Sequence, residues 1–131
     1  MFSMAVVAAL LMLAAACKKK ETTISDYPSL TITAPAATGG MYNTGDTIHI
    51  MGTATASGTD DAHLLHELSL TMKNTANNAV VWTAVIGVHD LETYTINTTV
   101  IAPAAGNYAL YDSVVNHLEK YATQTQTFMV M

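Results

Sequence analysis

Arginine is absent from this 131-residue chain, and three of its five lysines stand together as Lys18-Lys19-Lys20. The formal charge is −5, so the remainder of the chain is more acidic than the whole. Without guanidinium forks or a basic patch, nothing here grips a phosphate backbone, and no nucleic-acid partner is expected. Cysteine occurs once, at Cys17, which rules out an internal disulfide and leaves the fold to be held by packing. The apolar run from Phe2 to Ala16 is too short to span a bilayer as a helix. No serine or threonine lies in a Gly-x-Ser-x-Gly context, and the spaced acidic signature of a calcium-binding EF-hand is missing. Catalysis is not expected.

What is present begins at the N-terminal end. The uncharged run ends in Leu13-Ala14-Ala15-Ala16-Cys17 and gives way abruptly to Lys18-Lys19-Lys20-Glu21. A short apolar segment closed by small residues reads as a secretory signal. With the cysteine placed directly after it, the stretch resembles the lipobox of bacterial lipoproteins. That resemblance implies cleavage before Cys17, acylation of its thiol, and a mature protein tethered to a membrane by lipid. Two or more acyl chains anchor stably, because each buried methylene contributes about 0.8 kcal/mol. The expected organisation is a signal peptide over residues 1–16, a lipidated cysteine and tether over 17–28, and one domain over 29–131. The resemblance to lipoproteins, which are sorted by the residues after the cysteine, implies with Lys18 in that place an outer-membrane lipoprotein of the cell envelope, facing the periplasm.

From residue 29 onward the hydropathy pattern has period two. Strands are expected at 30–33, 47–56, 64–73, 80–86, 94–100, 108–116 and 123–131, separated by clusters of Gly, Pro, Asn and Asp. Ile48, Ile50, Gly52 and Ala54 share one face of the second strand. Leu64, Leu68, Leu70 and Met72 share one face of the third, and Gln124, Gln126, Phe128 and Val130 one face of the last. Gly87 to Glu92 reads as a break after the fourth strand. Trp82, the only tryptophan, is expected inside with Val80, Ala84 and Ile86 on its face, as the core's main aromatic. No long helix is expected.

Seven short strands in about 100 residues match the count of an antiparallel immunoglobulin-like sandwich, an all-β fold. Gly106-Asn107-Tyr108-Ala109-Leu110 resembles the opening of the penultimate strand of such domains. The resemblance implies that the Tyr108 hydroxyl bonds back to the main chain. Asp112 departs from the pattern, since a β-branched residue is usual there; a bulge turning it outward is the expected remedy. As a whole, residues 28–131 look like the single Ig-like or fibronectin-III-like domains of Bacteroidota-type lipoproteins. This implies a binding or structural module with an envelope protein or glycan as partner.

In such a sandwich three loops emerge at one end. They carry Asp60, Asp61 and His63, with His66 just inside the next strand; then His89, Asp90 and Glu92; then Asn116, His117 and Glu119. Four of the five histidines therefore gather at one pole, and His49 alone lies elsewhere. Imidazole and carboxylate together suit Zn²⁺ or Cu²⁺. His63, His66, His89 and His117 are the candidate ligands of the second functional reading, a metal-binding envelope lipoprotein. The first reading involves no cofactor.

Overall fold

The computed structural model describes residues 24–131. The expected signal segment, Cys17 and the first part of the expected tether lie outside the described residues. Eight strands follow one another: β1 (Ser29–Ala34), β2 (Gly40–Tyr42), β3 (Thr47–Thr55), β4 (Leu65–Asn74), β5 (Val80–Leu91), β6 (Thr93–Ile101), β7 (Gly106–Asn116) and β8 (Tyr121–Val130). They form two sheets, ordered β1-β3-β6 and β2-β8-β7-β4-β5. The described residues contain no helix. This is an immunoglobulin-like β-sandwich, with the fifth strand lying on the sheet of β4, β7 and β8.

The strand count corrects the expected seven. The added strand, β2, is only three residues long and runs parallel to β8, so the larger sheet is not purely antiparallel. It was hidden in the sequence because Gly39-Gly40 reads as a turn. Three residues are also too few to show alternation.

The core follows from the alternation. Ile48, Ile50, Ile96 and Val100 face inward from the smaller sheet. Leu65, Leu68, Leu70, Met72, Leu110, Val114, Phe128 and Val130 face them from the larger one. Each such side chain removed from water contributes roughly 1.5–3 kcal/mol, and together they supply the drive that a chain without disulfides needs. Tyr42 meets Phe128 edge-on at 5.5 Å, and Tyr108 stacks on Phe128 at 6.0 Å. The core's aromatics are thus Tyr108 and Phe128 rather than Trp82. Trp82 is half-buried, because β5 is an edge strand with no neighbour beyond it among the described residues. Val80 does not share its environment: a register shift after Met72 leaves Val80 56% exposed.

Tyr108 donates its hydroxyl to the Ala104 carbonyl at 2.7 Å, tying the start of β7 to the turn before it. Replacing Tyr108 by Phe removes this bond and leaves the ring stack. The expected cost is about 1 kcal/mol in a thermal or urea unfolding experiment, and an unchanged midpoint would deny the bond its role.

Asp112 is not turned outward. The β7–β8 ladder runs without a register shift through Tyr111↔Thr125 and Asp112↔Gln124, so Asp112 keeps its place in the inward row of Tyr108, Leu110 and Val114. It is 1% exposed, and neither carboxyl oxygen has a hydrogen-bond partner among the described residues. Burial pushes its pKa up to about 7; the nearby Gln126 amide offsets only part of that.

Candidate functional site

The pole at which β3, β5 and β7 end is where the sequence departs from simple alternation. Opposite β7, Leu65 pairs with Asn116 and Glu67 with Val115, so β4 carries one residue too many, His66. Opposite β5, Leu65 pairs with Leu91 and Glu67 with Gly87, and the longer excursion, Val88 to Asp90, lies on β5. Asp90 adopts the left-handed conformation there, with φ of 61°. Bulges re-aim side chains. Here they accompany His66 of β4 and His89 of β5 facing one another on the outer side of the large sheet. Gly87 therefore does not break the strand; β5 continues through it to Leu91.

The third side chain comes from the β7–β8 turn, organised by the buried Asn116. Its Oδ1 accepts from the Leu118 and Lys120 amides at 3.1 and 3.0 Å, and its Nδ2 donates to the Asp26 carbonyl at 2.7 Å. The His117 amide donates to the Leu64 carbonyl at 3.3 Å, fastening the turn to the start of β4. His117 is thereby brought beside the other two rings.

Three imidazoles meet as a result. The ring centres of His66 and His89 are 4.2 Å apart, and His117 lies 4.9 Å from each. One ring nitrogen from each lies within 4.8 Å of the other two. Asp90 stands between two of them, its Oδ1 3.0 Å from Nε2 of His117 and 3.6 Å from Nδ1 of His89. The Nδ1 of His66 is buried and has no hydrogen-bond partner among the described residues. A groove of about 380 Å³ opens beside the cluster, lined by Glu67, Glu119 and Tyr121 among others. The arrangement offers imidazole nitrogen donors in an acidic setting, which suits a soft or borderline cation better than an anion.

His63 does not join this group. The β3–β4 link coils so that the Asp60 carbonyl accepts from the His63 and Leu64 amides, and the Asp60 carboxylate accepts from the His63 amide at 3.1 Å. Both ring nitrogens of His63 are engaged: Nδ1 contacts Asp60, and Nε2 lies 3.3 Å from Asp26. The hydrogen bond with Asp60 raises the His63 pKa and lowers that of Asp60. This second cluster links the lead-in segment to the β3–β4 turn, which is a structural task. His49 sits on the exposed face of β3, in the other sheet. Sequence spacing pairs His63 with His66, but the bulge and the Asp60 turn separate them.

Comparison with known proteins adds little. No family model matches the chain, and no curated protein matches it. Among solved structures, the chain is similar to a family 76 glycoside hydrolase from a bovine Bacteroides thetaiotaomicron strain. The TM-score is 0.43 at 13% identity, covering 76% of this chain and 19% of that one. It is similar to a β-glucuronidase of Parabacteroides merdae, at TM-score 0.43 and 9% identity, over 79% of this chain and 13% of that one. A third likeness is to a CARDB domain from Pyrococcus furiosus solved in complex with di-metal ions. Its TM-score is 0.42 at 10% identity, over 80% of this chain and 92% of that one. The chain spans less than a fifth of the length of the two enzymes. Likenesses this distant say nothing about activity or ligand.

Proposed function

We propose that this protein is a lipid-anchored, non-catalytic Ig-like module of the cell envelope, whose working surface is the pole bearing the histidine cluster. The observation that carries this reading is the way the chain enters the domain. The segment before β1 is fastened at that same pole, through the bond from Asn116 to the Asp26 carbonyl and the Lys120 ammonium 5.7 Å over the Tyr27 ring. Cys17 and Asp26 are nine residue steps apart. Fully extended, that length of chain reaches about 30 Å. Acylation of Cys17 would therefore hold the histidine pole close to the membrane surface, with the opposite pole pointing away. Outer-membrane attachment on the periplasmic side, with an envelope protein or glycan as partner, completes the reading.

Metabolic labelling with a palmitate analogue in a bacterial host tests the anchor. The full chain incorporates label and sediments with membranes, and Cys17→Ala does neither. Equal labelling of the two chains, or none of either, would contradict the anchored reading.

A further inference from the structure

We infer that His66, His89 and His117 form a three-histidine site for a divalent late transition metal, zinc or copper, with Asp90 positioning the rings. This deepens the reading of the pole as the working surface and does not depend on the lipid anchor. Three observations carry it. First, the three side chains come from three different elements, β4, β5 and the β7–β8 turn. Two of them sit at irregularities of a ladder that is otherwise regular nearby. Second, the buried Nδ1 of His66 has no partner among the described residues. A buried polar atom left without one is costly and calls for a ligand to complete it. Third, carboxylates border the rings. Asp90 touches two of them, and Glu67 and Glu119 line the adjoining groove.

The donor set names the class of metal. Nitrogen ligands without thiolate suit Zn²⁺ and Cu²⁺, whereas Ca²⁺ asks for six to eight oxygens. Ligating nitrogens around tetrahedral zinc lie about 3.4 Å apart, given Zn–N distances of about 2.0–2.1 Å. Closing from 4.8 Å needs only a modest side-chain rotation, and the His89 side chain is 60% exposed and free to make it. Asp90 acts as the carboxylate behind the ring of His117, the arrangement that fixes an imidazole's orientation and raises its basicity at metal sites. Three protein ligands leave a coordination position open to solvent or to a donor from a partner.

The test uses the full chain carrying Cys17→Ala, which removes the acylation site and the only thiol, in mild detergent. Zn²⁺, Cu²⁺ and Ca²⁺ are added separately, and native mass and melting temperature are followed. The site predicts one zinc or copper per chain with a Kd of micromolar or tighter, a melting temperature that rises with that metal, and no response to Ca²⁺. His89→Ala and His117→Ala each weaken binding at least tenfold, and together they abolish it. His49→Ala and His63→Ala leave it intact. Both ligand substitutions are at surface side chains, so the metal-free variants keep the circular dichroism of the parent. The proposal is overturned by the absence of a stoichiometric adduct at tens of micromolar metal. An adduct that survives the double substitution overturns it equally. Neither result bears on labelling at Cys17, so failure of the anchor and failure of the metal site are distinguishable.

Discussion

Asp112→Asn makes the protein more stable at pH 8, by up to about 4 kcal/mol, while changing little at pH 4. The carboxyl is buried without a hydrogen-bond partner among the described residues, and its folded pKa stands at about 7 against 3.8 for a free aspartate. Between those values the folded chain holds a proton that the unfolded chain has released. Stability conferred by the neutral form is therefore complete below about pH 4, falls as pH rises, and reaches its lower plateau above about pH 7. Asparagine has nearly the same shape and no charge to desolvate, so its curve lacks the fall. Urea unfolding at pH 4.5, 6 and 7.5 reads this as a difference between the two proteins, which cancels contributions from the His63–Asp60 pair. Parallel curves across that range would mean that Asp112 reaches water or a partner on ionising.

Gly52→Ala is the other substitution with a large expected effect. Gly52 pairs with Ile32 where β1 lies on β3. A Cβ placed there stands 2.2 Å from the Thr31 carbonyl oxygen and 3.0 Å from the Ile32 Cα, both backbone atoms. No rotamer relieves such contacts, so β1 must move away from β3. That strains the bond from the Ile32 amide to Gln124 at 2.8 Å and unseats the buried Leu30. The expected cost is about 2–4 kcal/mol, with faster amide exchange in β1 than in the β3–β6 ladder. Gly87→Ala is the matched control. Its Cβ would meet nothing within 4 Å, and its stability should change by no more than about 0.5 kcal/mol. Equal effects at the two glycines would place the cost in strand propensity rather than in the contact with β1.

Alternation made most of the sandwich legible. The inward rows of β3, β6 and β8 follow from period two, because each has one buried and one solvated face. Elements that depend on long-range pairing were not legible. β2 exists because β8 offers it an edge, and β5 runs on to Leu91 because β4 lies beside it across Gly87. Asp112 was misplaced because an unpaired carboxyl in the core contradicts the usual rule, and nothing local signals the exception. The pole itself was foreseeable from connectivity: His89 and His117 come together with His66 there, and Asp26 shows that the chain enters beside them. The membership of His63 was not. A single turn begun by Asp60 decides where that ring points, and spacing along the chain does not reveal it.

The most direct test of the histidine site is an imidazole NMR spectrum of the Cys17→Ala chain, recorded before and after one equivalent of Zn²⁺. Five histidines give five resolvable ring systems. The site predicts that the signals of His66, His89 and His117 move together and saturate at one zinc per chain, while those of His49 and His63 stay in place. Shifts centred on His63, or a gradual drift of all five without saturation, would contradict it.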